Sequence, residues 1–366
     1  MIVGAEAEKK KPHDGTMSKL LKGLIKVSFI PINTDSNYRK WEFKLISKET
    51  LKFFTIWYGL HIAILVSLVM LFKDSIITAY YLEQKNNPID LVAAGIFSFC
   101  LWWIFPMSPL FLGSTVAKIP STVWKNGLHW PSCGNGTIFS AFLFILGSLI
   151  ANISWVYRLL GFTQDTFHMI IIFLFAEFLV AVYWTIPILL ILSLISKFYD
   201  DCNQSEHDPT SGVEIKLDMF STLKKSLSRF FFAQFAVAQV FSIFACFLCF
   251  TKLMGKDEIT VDRIIFSIGM VLIVLSLTFN IVGLALVADD AHAVLFSKIK
   301  LLQENLLQLT NMQEIQKVKN TIKDIERTGP FTGLGYFDIT RETLTAMMSV
   351  SITYIIILVQ FKMSTL

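Results

Sequence analysis

Charge is what this chain has least of. Of its 366 residues only 16% are Asp, Glu, Lys or Arg, against 54% hydrophobic. A soluble domain with that balance would expose more apolar surface than water tolerates, so a membrane protein is the natural reading. The 32 basic and 28 acidic residues leave a net charge of only +4. The basic residues do not gather as in nucleic-acid binders, and no nucleic-acid partner is expected. Cysteine is sparse and poorly placed for cross-linking. The five are Cys100, Cys133, Cys202, Cys246 and Cys249, an odd number with three in or at the edge of apolar runs, which argues against a disulfide framework. Cys246 and Cys249 have CxxC spacing but sit inside such a run, where packing explains them. Zinc-protease, phosphate-loop and nucleophile-elbow patterns are missing, so an enzyme reading has no residues to stand on, and no cofactor or metal is expected. Asp289-Asp290-Ala291-His292 lacks further ligands and reads as a solvated helix end. The first 50 residues are polar and basic, without an apolar core. No cleavable signal peptide is expected, and the first apolar run itself serves as the insertion signal. Internal repeats and low-complexity tracts are also missing.

Long hydrophobic runs are what the chain has in excess. Mean hydropathy is +0.59, and there are 33 Phe. Seven runs approach or exceed the roughly 20 residues that cross a bilayer core: Leu51–Phe72, Leu91–Leu112, Thr137–Tyr157, Phe167–Leu194, Phe230–Phe250, Ile264–Ala288 and Thr343–Phe361. Pro106, Pro109 and Pro187 fall within them, which a helical bundle tolerates where neighbours satisfy the freed carbonyls. The expectation is an all-α membrane protein with seven transmembrane helices, multi-pass in the plasma membrane. Of the 32 Lys and Arg, 25 lie in the N-terminal segment and alternate connections, and seven on the other side. The positive-inside rule then puts the N-terminus in the cytoplasm and the C-terminus outside.

This orientation divides the chain into a cytoplasmic N-terminal segment (1–50), six spans (51–288), a cytoplasmic anchor helix with its connection (289–340), and the last helix with an extracellular tail (341–366). In the first segment, Leu20, Leu21, Leu24, Ile25 and Val27 alternate with Lys19, Lys22 and Lys26 at helical spacing. That pattern suits a helix lying on the inner leaflet or one packed into the bundle. Apolar residues at steps of three and four from Leu295 to Ile325 predict one helix continuing from the sixth span into the cytoplasm. Glu214–Ser228 leads helically into the fifth span. Gly329-Pro330, Gly333 and Gly335 then turn the chain back to the membrane.

In the last span Ile357, Gln360 and Phe361 share one helix face, which Thr353 extends by a turn. An amide beside a bulky apolar residue suits a pore wall with a hydrophobic constriction. It equally suits a helix whose Gln360 and Tyr354 bond neighbouring helices or sit at the interface. Thr353-Tyr354, five apolar residues and Gln360-Phe361 resemble the C-terminal signature of insect gustatory receptors, which share a superfamily with insect odorant receptors. The approach, Thr332-Gly333-Leu334-Gly335-Tyr336-Phe337-Asp338-Ile339-Thr340-Arg341, is similar to the family's glycine–aromatic–acidic stretch. The residue-level likeness covers about the last 30 residues, and the inverted seven-helix layout extends it in outline.

The resemblance implies a ligand-gated, non-selective cation channel, a homotetramer or a heterotetramer with related subunits, set in membrane lipid and opened by a small-molecule tastant such as a sugar or bitter compound. It implies Ile357, Gln360 and Phe361 as pore-facing, with Phe361 at the narrowest point for permeant cations, and an anchor domain at the inner ends of the last four spans. It places the ligand in the outward half of the first six spans. Polar and aromatic candidates there are Ser98, Trp102 and Trp103, then Asn152, Trp155 and Tyr157, with Glu177 and Ser267. Glu177 is costly within a membrane. It can be neutral and hydrogen-bonded, paired with Arg158, or in contact with a ligand hydroxyl. A G-protein-coupled chemoreceptor is disfavoured by the charge bias and by the lack of Asp-Arg-Tyr and Asn-Pro-x-x-Tyr patterns. A scaffold or transporter without a gated pore is the other alternative.

Overall fold

A computed structural model describes residues 16–34, 41–71, 73, 88–119, 130–131, 133–160, 164–203, 212–254 and 260–364. The side chains of 16–18, 41, 88–91, 155–160 and 164–166 lie outside that description. Among the described residues seven helices are long and apolar enough to cross a membrane. They are α2 (Lys48–Leu71), α3 (Val92–Val116), α4 (Gly134–Leu160), α5 (Gln164–Asn203), α6 (Val213–Leu253), α7 (Val261–Leu306) and α9 (Arg341–Ser364). Two shorter helices, α1 (Thr16–Lys26) and α8 (Met312–Arg327), flank them. Two small ribbons complete the fold, β1 (Asn33–Thr34) with β2 (Trp41–Glu42) and β3 (Thr332–Gly333) with β4 (Phe337–Asp338). The chain is an all-α membrane protein of seven spans.

Helix α5 is the axis of the bundle. Ile188, Leu190, Ile191, Leu192, Leu194 and Ile195 are all fully buried, so consecutive residues on every face meet protein, as a helix apolar all round requires. The amphipathic α1 takes the bundle-packing option. Leu21 and Ile25 are buried in the main core while Lys19, Lys22 and Lys26 stay exposed. Behind it Phe29 stacks on Tyr183 at 5.6 Å and meets Trp57 edge-on at 5.2 Å.

Helices α4 and α7 cross at glycine. A Cβ on Gly147 would lie 2.6 Å from the Gly269 carbonyl oxygen, and one on Gly269 would lie 2.6 Å from that of Gly147. Backbones this close need residues without side chains, the usual device where lipid offers no hydrophobic drive to pack helices.

The expected single helix from the sixth span to Ile325 is two helices. Helix α7 ends at Leu306, and α8 restarts at Met312 with Asn311 as its cap, the side-chain oxygen accepting from Gln313 N at 3.0 Å. An asparagine oxygen in that place satisfies a first-turn N–H and so favours a fresh start over continuation. The apolar stripe survives the break, since Leu295, Ile299 and Leu302 on α7 and Val318 and Ile325 on α8 are all buried.

The turn back to the membrane forms as the glycines suggested. Leu334 and Gly335 both have positive φ, 52° and 79°, and the β3–β4 ribbon closes around them. Lys224 Nζ donates to the Gly329 carbonyl at 2.9 Å and Leu334 N to that of Ser228 at 3.3 Å, which fastens this turn to α6. Phe331 is its plug, fully buried with its ring 4.7 Å from Phe220 and 5.6 Å from Phe231. Phe331→Ala is expected to cost about 3–5 kcal/mol. It should lower the thermal midpoint of the detergent-purified chain by several degrees, whereas Tyr336→Ala, at an exposed position, should leave it within one or two degrees.

Candidate functional site

Two places carry the chemistry, a cavity among the spans and the surface of α9. The cavity measures about 580 Å³, the size of a small-molecule site. Its wall is built from α2 (Leu65, Leu68, Val69), α3 (Phe97, Ser98, Trp102, Trp103), α4 (Ser148, Asn152), α5 (Phe173, Glu177), α6 (Leu248, Lys252) and α7 (Phe266, Met270, Ile273).

A local irregularity aims the tryptophans. Within α3 the chain widens to a π-helical turn over Cys100–Ile104 and then tightens over Phe105–Met107. Pro106 has no N–H to give the Trp102 carbonyl four residues back. His61 supplies the missing donor, its Nε2 lying 2.9 Å from that oxygen. A carbonyl only accepts, so Nε2 must carry the proton. A second π-helical turn lies in α2 over Phe54–Tyr58, and the Trp57 carbonyl within it accepts from Tyr183 O–H at 2.9 Å. Such turns gather at functional sites because they re-aim side chains without ending the helix.

The structure brings Ser98, Trp102, Trp103, Asn152 and Glu177 to one cavity. Ser267 is buried just outside the wall, and its carbonyl faces Cys249 Sγ at 3.9 Å. The side chains of Trp155, Tyr157 and Arg158 lie outside the described residues. Of the three readings of Glu177, hydrogen bonding is present, since Asn152 Nδ2 donates to its Oε1 at 3.3 Å. Sequence reasoning missed Ser148, Phe97, Phe173 and Phe266. Serines and phenylalanines abound in every span, and only the packing tells which face inward.

Helix α9 is the exception of the bundle, because none of its residues is buried. One stripe, Leu344, Met347, Leu358 and Val359, rests on the core. Gln239 of α6 donates to the Met347 carbonyl at 2.9 Å and to Ser351 Oγ at 2.6 Å. At about 100° per residue, Thr353, Ile357 and Gln360 point to the opposite side, away from the chain's own helices, and Phe361 flanks them. Ile357 is 38% exposed and Phe361 61%. At the N-terminal end of α9, Arg341 pairs with Asp289 at 3.2 Å and Asp290 at 2.7 Å on α7. The acidic pair is solvent-accessible, as expected of a helix end, and also meets the first residue of the last helix. Among the described residues no group of three or more His, Cys, Asp or Glu could hold a metal.

Comparison with known proteins agrees with this architecture. Residues 234–365 match the family model described as 7tm chemosensory receptor. No curated protein matches the chain. Among solved structures, the olfactory receptor OR5 of the insect Machilis hrabei, in complex with eugenol, is similar at a TM-score of 0.53 and 14% identity, over 94% of this chain and 99% of that one. Without eugenol the same receptor matches at a TM-score of 0.52 over the same shares. At that identity the likeness is one of fold.

Proposed function

We propose that this chain, a multi-pass plasma-membrane protein of the insect gustatory and odorant receptor superfamily, is a gustatory receptor. It is one subunit of a non-selective cation channel opened by a small tastant such as a sugar or bitter compound. The carrying observation is that α9 buries no residue in its own chain. A span that rests on the bundle by one stripe and buries no residue has surface to spare for other copies, and the face with Thr353, Ile357 and Gln360 lies opposite that stripe. Four such faces around an axis, from identical or related subunits, make a pore in which Gln360 replaces lost hydration and Phe361 forms the constriction. The N-terminus lies in the cytoplasm and the C-terminus outside.

Ligand and gate communicate through α6 and α7. Both helices wall the cavity, and both carry α9, through Gln239 on α6 and the Asp289–Asp290 pair on α7. A ligand that fits the cavity better when these helices have shifted favours the state in which α9 moves outward, and its differential affinity supplies the opening energy. The related fold of the Machilis receptor holds eugenol, which supports a small-molecule stimulus here.

The test is whole-cell recording from cells expressing the chain alone, with a panel of sugars and bitter compounds, together with staining of a C-terminal tag on intact cells. The reading expects an evoked current at once on ligand addition and a tag reached from outside. A response that needs intracellular GTP, or a tag reached only after permeabilisation, sinks it in favour of a G-protein-coupled receptor.

A further inference from the structure

An apolar cavity walled by tryptophan is an expensive place for a carboxyl group, and one that stays there needs a counterpart. Glu177 is 1% exposed. Its Oε1 accepts from Asn152, while its Oε2 makes no full hydrogen bond and has only the buried Ser148 hydroxyl, itself unpaired, beside it. The groups around it are neutral: Asn152 and Ser148 from α4, Trp102 from α3 and Phe173 one turn away on α5. Lys252, Asp262 and Arg263 line the same cavity from the last turn of α6 and the first of α7. None of them bonds to Glu177, and each has a partner of its own.

Resting on the receptor reading above, we propose that this cavity selects a compact organic amine, whose protonated nitrogen donates to Glu177 Oε2 while its aromatic or alkyl body fills the apolar wall. The Ser148 hydroxyl can offer the open oxygen only a neutral donor, whereas an ammonium group brings a positive charge with its donor, in a charge-assisted bond. Trp102 and Phe173, 6.3 Å apart between ring centroids on the same cavity wall, offer aromatic rings for cation–π attraction. An alcohol of the same shape offers the donor without the charge. A sugar needs partners for several hydroxyls, and a wall made mostly of Leu, Phe, Met and Ile carbon leaves most of them unmet. The ligand class narrows from sugars and bitter compounds to bitter-type amines.

The experiment measures binding, not current, so that its failure is separate from failure of the channel. The purified full chain in lipid nanodiscs is titrated with phenethylamine and with phenethyl alcohol at neutral pH, and quenching of tryptophan fluorescence is followed. Wild type is expected to bind the amine at least about tenfold more tightly than the alcohol. Glu177→Gln, checked for an unchanged thermal midpoint, is expected to weaken the amine about 100-fold and the alcohol less than about threefold. Equal binding of the two by wild type, no binding of either, or an amine affinity untouched by Glu177→Gln overturns the proposal. If Glu177→Gln does not fold, the wild-type preference decides by itself, with trimethylphenethylammonium as the second probe. This cation cannot donate, so it should bind about tenfold more weakly than the amine, and equal binding rejects the contact with Oε2. Selective amine binding without any current from the chain alone would leave this inference standing and remove the homomeric channel.

Discussion

Phe361→Ala is expected to make cells expressing the chain leak at rest. The ring flanks the outward side of α9, 61% exposed within one chain, where most of a bulky apolar group is left for contact with other copies. Around a pore axis that group has a use, because a ring of phenylalanines excludes water from the narrowest point and so excludes ions. Truncation to alanine removes most of each ring and lets the constriction wet. A loss of about 1.4 kcal/mol from the closed state raises the open-to-closed ratio tenfold, so the resting current, normalised to surface protein, should rise on the order of tenfold. Gln360→Ala removes the amide and keeps the ring. It should change the relative permeability to sodium, potassium and calcium with little added leak. Resting and evoked currents unchanged in both variants would take α9 out of the ion path.

Gly269→Val is expected to be the most damaging single change in the membrane-spanning part. The first atoms that a new Cβ meets are backbone atoms, the Gly147 carbonyl oxygen at 2.6 Å and Ala151 N at 2.7 Å. Neither can swing aside as a flexible side chain would, so α4 and α7 must separate along their length. Overpacking of this kind costs about 1–3 kcal/mol even for a methylene or two in a core that gives, and a branched residue against backbone should exceed that. Purified protein should show a strongly lowered thermal midpoint or fail to reach the surface. Ser148, Asn152, Met270 and Ile273 lie within a turn or two of the crossing and wall the cavity, so any folded fraction should also lose ligand binding. Gly147→Ala and Gly269→Ala together should cost less than the sum of the two alone, because the first separation makes room for the second. Strict additivity would place the two glycines at independent contacts.

Much of this was legible in the residues. The seven spans follow from run length, and the last 30 residues carried the resemblance that the chemosensory-receptor match over residues 234–365 supports. The turn was legible from Gly335, whose φ of 79° suits glycine, whereas the positive φ of Leu334 had no signal in its residue type. The break between α7 and α8 was not read, since the apolar stripe keeps its spacing across it and only Asn311 marks the new start. For α1 the pattern left inner leaflet and bundle equally open, because both bury one face and solvate the other. Packing against the core chose the bundle.

Hydropathy determined by itself that the chain crosses a membrane seven times, because the cost of leaving a backbone unsatisfied in lipid forces every long apolar run into a helix. It could not rank those helices. Spans α5 and α9 read alike as apolar runs, yet one is buried on every face over Ile188–Ile195 and the other buries nothing. Which helix becomes the axis depends on contacts between residues far apart in sequence, such as Tyr183 with Trp57 or Gly147 with Gly269. The same holds for the cavity, where Ser98, Trp102, Trp103, Asn152 and Glu177 are scattered over some eighty positions of sequence. Only the crossing of their helices brought them to one wall and left one oxygen of Glu177 without a full hydrogen bond.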